Sequence, residues 1–194
     1  MTDVAALIRT AGDNLRALSD SAYPATVDAA VSLLLGALQD GHKLLVFGNG
    51  GSAADAEHLC AELVGRFVRE RQPLAAIALT TNQALLTAWS NDYRFDDVFA
   101  RQVEALGQPG DVAFGISTSG NSANVVNALR RARERGLRTI GLTGAGGGRA
   151  APFCDVLLAP PLTETPRIQE VHLVTYHAIC AALDERLLGE APSE

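Results

Sequence analysis

Two sets of residues in this sequence are of types and spacings that can do chemistry. His58 and Glu62 lie four apart in a helical pattern, with Arg66 one turn further along. That spacing puts an imidazole and a carboxylate on one face of a helix. An isolated surface pair of this kind is worth only ~0.3 kcal/mol. Here, however, the stretch from Ala56 to Phe67 sets both groups beside an apolar stripe, and partly buried ionisable groups are paired or functional. A helical segment near the C-terminus carries Gln169 and His177, eight apart on nearly one face, with Val174, Ile179 and Ala181 around the imidazole. Glu170 and His172 on that segment read as solvent-facing or structural, and Cys60 as core.

The second set consists of loops suited to an anion. Gly48-Asn49-Gly50-Gly51-Ser52 and Ser117-Thr118-Ser119-Gly120-Asn121-Ser122 each follow an apolar run and precede a helical pattern. Unpaired backbone N–H groups and the helix dipole favour negative charge at such a junction. Serine, asparagine and glycine are also ordinary turn and cap residues. One cap needs only one hydroxyl, so the hydroxyl density of residues 117–122 points to a phosphate. Gly48-x-Gly50-x-x-Ala53 also fits a loose dinucleotide pattern, which expects a carboxylate at the end of the second strand. Leu79-Thr80-Thr81-Asn82 supplies none, so that reading is the weaker one.

Composition removes several other chemistries. Among 194 residues, 16 basic against 22 acidic side chains give a formal charge of −6, which disfavours non-specific nucleic-acid binding. Lys43 is the only lysine and precedes the first glycine loop, so it cannot serve as a Walker lysine and is the sole candidate Schiff-base amine. Cys60, Cys154 and Cys180 are odd in number and far apart, which argues against a disulfide framework or a thiolate zinc site. The N-terminal segment has charges through its apolar pattern and no apolar run reaches ~18 residues. The expectation is a cytoplasmic protein that binds neither membrane nor nucleic acid.

The elements that position these residues follow from hydrophobic rhythm. Leucine, valine and alanine recur at helical spacing near 3–19 and 25–40. Short apolar runs at 43–47, 74–79, 112–116, 139–142 and 156–158 lack strict alternation, as parallel strands covered on both faces do. Helical segments are predicted at 53–68, 83–106 with a break near Asn91-Asp92, 121–136, a short one after Gly148, and 167–188. Taken alone, Asn91-Asp92 is a plain turn. The expected architecture is a single α/β domain over 1–194. It is a three-layer sandwich with a roughly five-stranded parallel sheet flanked by helices, two N-terminal helices and a long C-terminal helix.

Gly48–Ser52, Ser117–Ser122 and Arg167-Ile-Gln-Glu170, in that order, resemble the sugar-isomerase (SIS) fold and, within it, the phosphoheptose isomerase family. The likeness covers nearly the whole chain. It implies conversion of sedoheptulose 7-phosphate to D-glycero-D-manno-heptose 7-phosphate through an enediol. It implies that Asn49, Gly50, Gly51, Ser52, Glu62, Asn91, Asp92, Ser117, Thr118, Ser119, Ser122 and Gln169 contact substrate, which replaces the plain-turn reading of Asn91-Asp92. It implies one zinc per subunit on His58, Glu62, Gln169 and His177, with Glu62 and His177 as the catalytic pair. A homotetramer with active sites at subunit interfaces is implied too, its leading helices (1–40) packing between copies. Ala53-Ala54 stand where some members carry His-Cys. Two non-enzymatic relatives within the fold give the alternatives: a tetramer that binds the bacterial replication initiator protein, and a module that senses a sugar phosphate without converting it. The initiator-binding type lacks the glutamate and histidine present here at 62 and 177.

Overall fold

A computed structural model describes residues 3–189; the expected domain over 1–194 reaches past them at both ends. Two helices lead, α1 (Val4–Ser19) and α2 (Tyr23–Gln39), followed by β1 (Leu44–Gly48), α3 (Gly51–Val64), β2 (Ala76–Ala78) and α4 (Gln83–Asp92). After a 3₁₀ turn at Phe95–Asp97 come α5 (Val98–Leu106), β3 (Val112–Ser117), α6 (Ala123–Glu134) and β4 (Arg138–Thr143). A second 3₁₀ segment (Gly148–Phe153), β5 (Val156–Leu158) and α7 (Thr165–Leu188) complete the chain.

The five strands are all parallel, in the order β2-β1-β3-β4-β5. The three central strands, β1, β3 and β4, are buried on both faces, so successive side chains feed two cores. Leu44, Val46, Phe114, Ile116, Ile140 and Leu142 point to the side covered by α2, α3 and α7. Leu45, Phe47 and Ala113 point to the side where α5 and α6 pack together. This order reverses direction between β1 and β3, and ligands of such sheets settle in the crevice beyond the strand ends at that point. Register places Gly48 beside Ile116, so the two loops singled out from the sequence flank that crevice.

The structure refines the sequence expectation at several element boundaries. The third helix stops at Val64 rather than 68, with Gly65 as its C-cap. Arg66 therefore leaves the helical face of His58 and Glu62 and sits exposed near Glu70. The break expected near Asn91-Asp92 falls just after them: they form the last turn of α4, and the chain turns at Tyr93 and Arg94. The run 74–79 yields only three strand residues at the sheet edge.

Lys43 enters β1 from the end of the sheet opposite these loops, and its Nζ lies 2.6 Å from Asp111 Oδ2. Burial opposes ionisation of Asp111, but that contact and the N–H groups of Lys43 and Gln108 outweigh it and hold its carboxyl below the usual range. Lys43 is thus a structural ion-pair partner, not a Schiff-base amine. Cys60 and Cys180 are buried free thiols, both pushed up to about 12 chiefly by burial. No single helix among the described residues is long and apolar enough to cross a membrane.

Candidate active site

Helix α3 buries Ser52, Ala56, Leu59, Cys60 and Leu63, a helical stripe that leaves His58 and Glu62 together at its margin. Their side chains are 43% and 21% exposed, and His58 Nε2 lies 2.9 Å from Glu62 Oε1. Helix α7 packs against α3 and brings His177 to the same place. The rings of His58 and His177 meet edge to face at 5.1 Å. One ligand-capable atom from each of His58, Glu62 and His177 falls within a group no more than 4.8 Å across. The long-range step that the sequence cannot show, a carboxylate and an imidazole 115 residues apart meeting at one spot, is therefore present within one chain.

His177 Nε2 is buried and has no hydrogen-bond partner among the described residues. A buried polar atom without a partner costs about 1–3 kcal/mol, so this nitrogen calls for a ligand. Two imidazole nitrogens and a carboxylate oxygen are also the donor set that zinc takes. The residues present thus fit the metal that the resemblance implies. Gln169 lies two turns before His177, about 12 Å of helical rise. Its amide rests over Gly51, at the end of α3 away from Glu62; a Cβ on Gly51 would come within 2.6 Å of Gln169 Nε2.

The cluster has supports that sequence reasoning missed. The buried Tyr176 hydroxyl lies 2.9 Å from His58 Nδ1 and 3.4 Å from Asp55 Oδ1. Burial raises the Asp55 carboxyl above its ordinary value, against the lowering effect of the Tyr176 bond. Arg71 is buried and ion-paired with Asp184 at 2.6 Å. It donates to the carbonyls of Glu62 (2.7 Å) and Leu63 (2.8 Å), so it caps the end of α3 that carries the carboxylate.

The two loops are as specific. Across the crevice, Asn49 Nδ2 donates to Asn124 Oδ1 at 2.9 Å, and Asn124 Nδ2 donates back to Asn49 Oδ1 at 2.8 Å. Asn124 is 3% exposed and locks the first loop to the first turn of α6; its only signal in the sequence was a polar residue on an apolar helix face. In the second loop the Ser117 and Ser122 hydroxyls meet at 3.1 Å, and Ser119 Oγ accepts from Asn121 N at 3.1 Å. Ser122 is the N-cap of α6, yet its side chain makes no capping bond, and α3 likewise begins without a side-chain cap.

This loop is also fastened from behind. Gly144 N donates to Thr118 O at 2.9 Å and Ala150 N to Gly120 O at 2.9 Å. Asn121 Oδ1 accepts from Arg149 N at 3.0 Å. Gly120 has φ +63°, and a Cβ there would collide with the carbonyl oxygen of Gly147. Both facts require glycine.

Some expected site residues stay apart. Helix α4 buries none of its residues, and Asn91 and Asp92 are exposed with Asn91 Nδ2 donating to Asp92 Oδ1 at 2.9 Å. Helix α4 packs on α5 and the 3₁₀ turn rather than on α3 or α7. His172 takes the structural alternative: it is fully buried, with Nε2 2.9 Å from Thr143 O. Burial lowers its pKa to about 4, so it is a neutral strut between α7 and the end of β4. Glu170 pairs with Arg167 at 3.0 Å.

Comparison with known proteins agrees with this architecture. Residues 9–144 match the SIS domain family. The chain is 54% identical over 176 residues to a phosphoheptose isomerase of Bradyrhizobium sp. (strain ORS 278), covering 91% of this chain and 89% of the relative. Its fold is similar to the structure of a phosphoheptose isomerase from Neisseria gonorrhoeae, with a TM-score of 0.88 and 45% identity over 94% of this chain and 97% of that one. A phosphoheptose isomerase from Francisella tularensis also gives a TM-score of 0.88, at 35% identity over 95% of this chain and all of that one.

Proposed function

The chain belongs to the phosphoheptose isomerase family of SIS-domain proteins, and we infer that it is an isomerase converting sedoheptulose 7-phosphate into D-glycero-D-manno-heptose 7-phosphate. The observation that carries its chemistry is the convergence of His58, Glu62 and His177 from two helices beside two loops at the sheet's reversal point.

Ketose-to-aldose conversion moves one proton between C1 and C2 and another between their oxygens, through a cis-enediol. It needs an acid–base couple at those carbons and stabilisation of the enediolate oxygen. Glu62 and His177 form the couple: the carboxylate lies 2.9 Å from His58 Nε2, and His177 Nε2 is buried with no partner among the described residues. Zinc bound by His58, Glu62 and His177, with the Gln169 side chain swung over from Gly51 as a further donor, would supply Lewis-acid polarisation of the carbonyl. Gln169, resting on Gly51, also orients the substrate next to Asn49, Gly50, Gly51 and Ser52.

The phosphate lies several carbons from the reacting bond. Ser117, Thr118, Ser119 and Ser122 and the uncapped N-terminus of α6 hold it, and that remote grip places C1 and C2 against the couple. The exposure of Asn91 and Asp92, away from the cluster of their own subunit, suits a role at a neighbouring copy's site. Exposed Val4, Leu7 and Ile8 on α1, and a groove of about 400 Å³ lined by Leu15, Leu18, Tyr23, Val27, Val171 and Val174, favour packing of the leading helices between copies, as in a homotetramer. Three free cysteines suit a cytoplasmic setting.

Incubating purified protein with sedoheptulose 7-phosphate, with and without a chelator, and analysing the sugar phosphates tests this reading. Aldose product that disappears on chelation and returns with zinc is expected. No product from the zinc-loaded protein would overturn it.

A further inference from the structure

We propose that Asp55 and Tyr176 are positioning residues that fix which nitrogen of His58 is presented to the metal. The inference rests on the metal reading above and extends it to two residues that touch neither metal nor substrate. Asp55 and His58 are three apart on α3, so they share a face, and Tyr176 of α7 reaches between them.

One assignment of hydrogens along this chain suits a bound metal. A phenol has one proton to donate, and an ionised carboxylate only accepts. The Tyr176 hydroxyl donates to Asp55 Oδ1 at 3.4 Å, so at its 2.9 Å contact with His58 Nδ1 the same oxygen accepts. His58 then carries its hydrogen on Nδ1 and leaves a lone pair on Nε2. That lone pair faces Glu62 Oε1 at 2.9 Å, in the cluster that His177 joins. Two acceptors at that separation repel unless a cation lies between them. The relay thus sets the imidazole for a metal.

Without Asp55, the Tyr176 proton is free to turn to His58 Nδ1. The ring hydrogen then moves to Nε2, where it satisfies Glu62 and blocks the metal. Orientation of a ligating histidine through its other nitrogen is worth roughly 10–100-fold in metal affinity.

The test is zinc affinity, measured by competition with a chromogenic chelator on metal-stripped full-length protein, with thermal unfolding of each metal-free variant as a check on folding. Asp55→Ala and Tyr176→Phe are expected to bind zinc about 10–100-fold more weakly than the parent. Asp55→Asn, which loses the charge but keeps an acceptor, is expected to stay within about threefold of the parent by the same logic. If the parent binds zinc and the first two variants match it within twofold, the relay is wrong and the metal reading stands. An Asp55→Asn loss as large as that of Asp55→Ala would trace the effect to charge and also overturn the relay. If the parent itself binds no zinc, both the relay and the metal reading fall.

Discussion

Lowering the pH from 7 to 5 is expected to cost the folded chain about 2 kcal/mol through His172 alone. The imidazole is fully buried, and burial takes its pKa from the ordinary 6.5 to about 4 in the fold. Between those values the unfolded chain takes up a proton that the folded chain refuses, so stability falls as the pH falls. The contribution is complete above pH 6.5, and roughly 3 kcal/mol of it is gone below pH 4, at about 1.4 kcal/mol per unit. His172 ties α7 to Thr143 O, so the loss falls on the helix that carries Gln169 and His177. Urea unfolding at half-unit steps from pH 7 to 5, parent against His172→Gln, measures it; glutamine can still donate to Thr143 O but does not titrate in this range. The difference between the two curves should grow by about 2 kcal/mol over the series. Parallel curves would refute the reasoning, because the other titrating groups are common to both proteins.

Glu62→Gln in zinc-loaded protein should lower kcat by at least ~10²-fold, whereas Ser119→Ala should raise KM several-fold with kcat little changed, as loss of uniform binding does. Steady-state kinetics separate the two, and near-normal turnover in Glu62→Gln would refute the acid–base assignment. Gly51→Ala places a methyl 2.6 Å from Gln169 Nε2. The amide is the end of a flexible side chain and can swing away, so stability should stay within ~1 kcal/mol of the parent. Weaker substrate binding at an unchanged Tm is the expected result, and an unchanged KM would show that Gln169 does not need that position.

Much of the fold was legible because the apolar residues repeat with distinct rhythms. The five strands and the helices between them match the predicted segments, and the two loops after β1 and β3 were identifiable from composition. Helix ends were less legible. Gly65 ended α3 where the apolar pattern continued to Phe67, since the chain turns there so that Arg71 can reach the carbonyls of Glu62 and Leu63. The pairing of His58 and Glu62 followed from their spacing, but the arrival of His177 depends on α7 packing against α3, which no local pattern encodes. Tyr176 is core by burial; its hydroxyl matters only because Asp55 and His58 face it. Asn124 likewise gained meaning only from Asn49, 75 residues earlier.

The fastening of residues 117–122 to the segment 144–150 has a kinetic consequence. The backbone entropy of shaping that turn is spent when the protein folds, not when a ligand arrives. An anion settling there displaces water from a finished cup instead of waiting for a flap to close. Capture should therefore be fast and nearly independent of solvent viscosity beyond simple diffusion, which leaves the slow part of each turnover to the protons or to product departure.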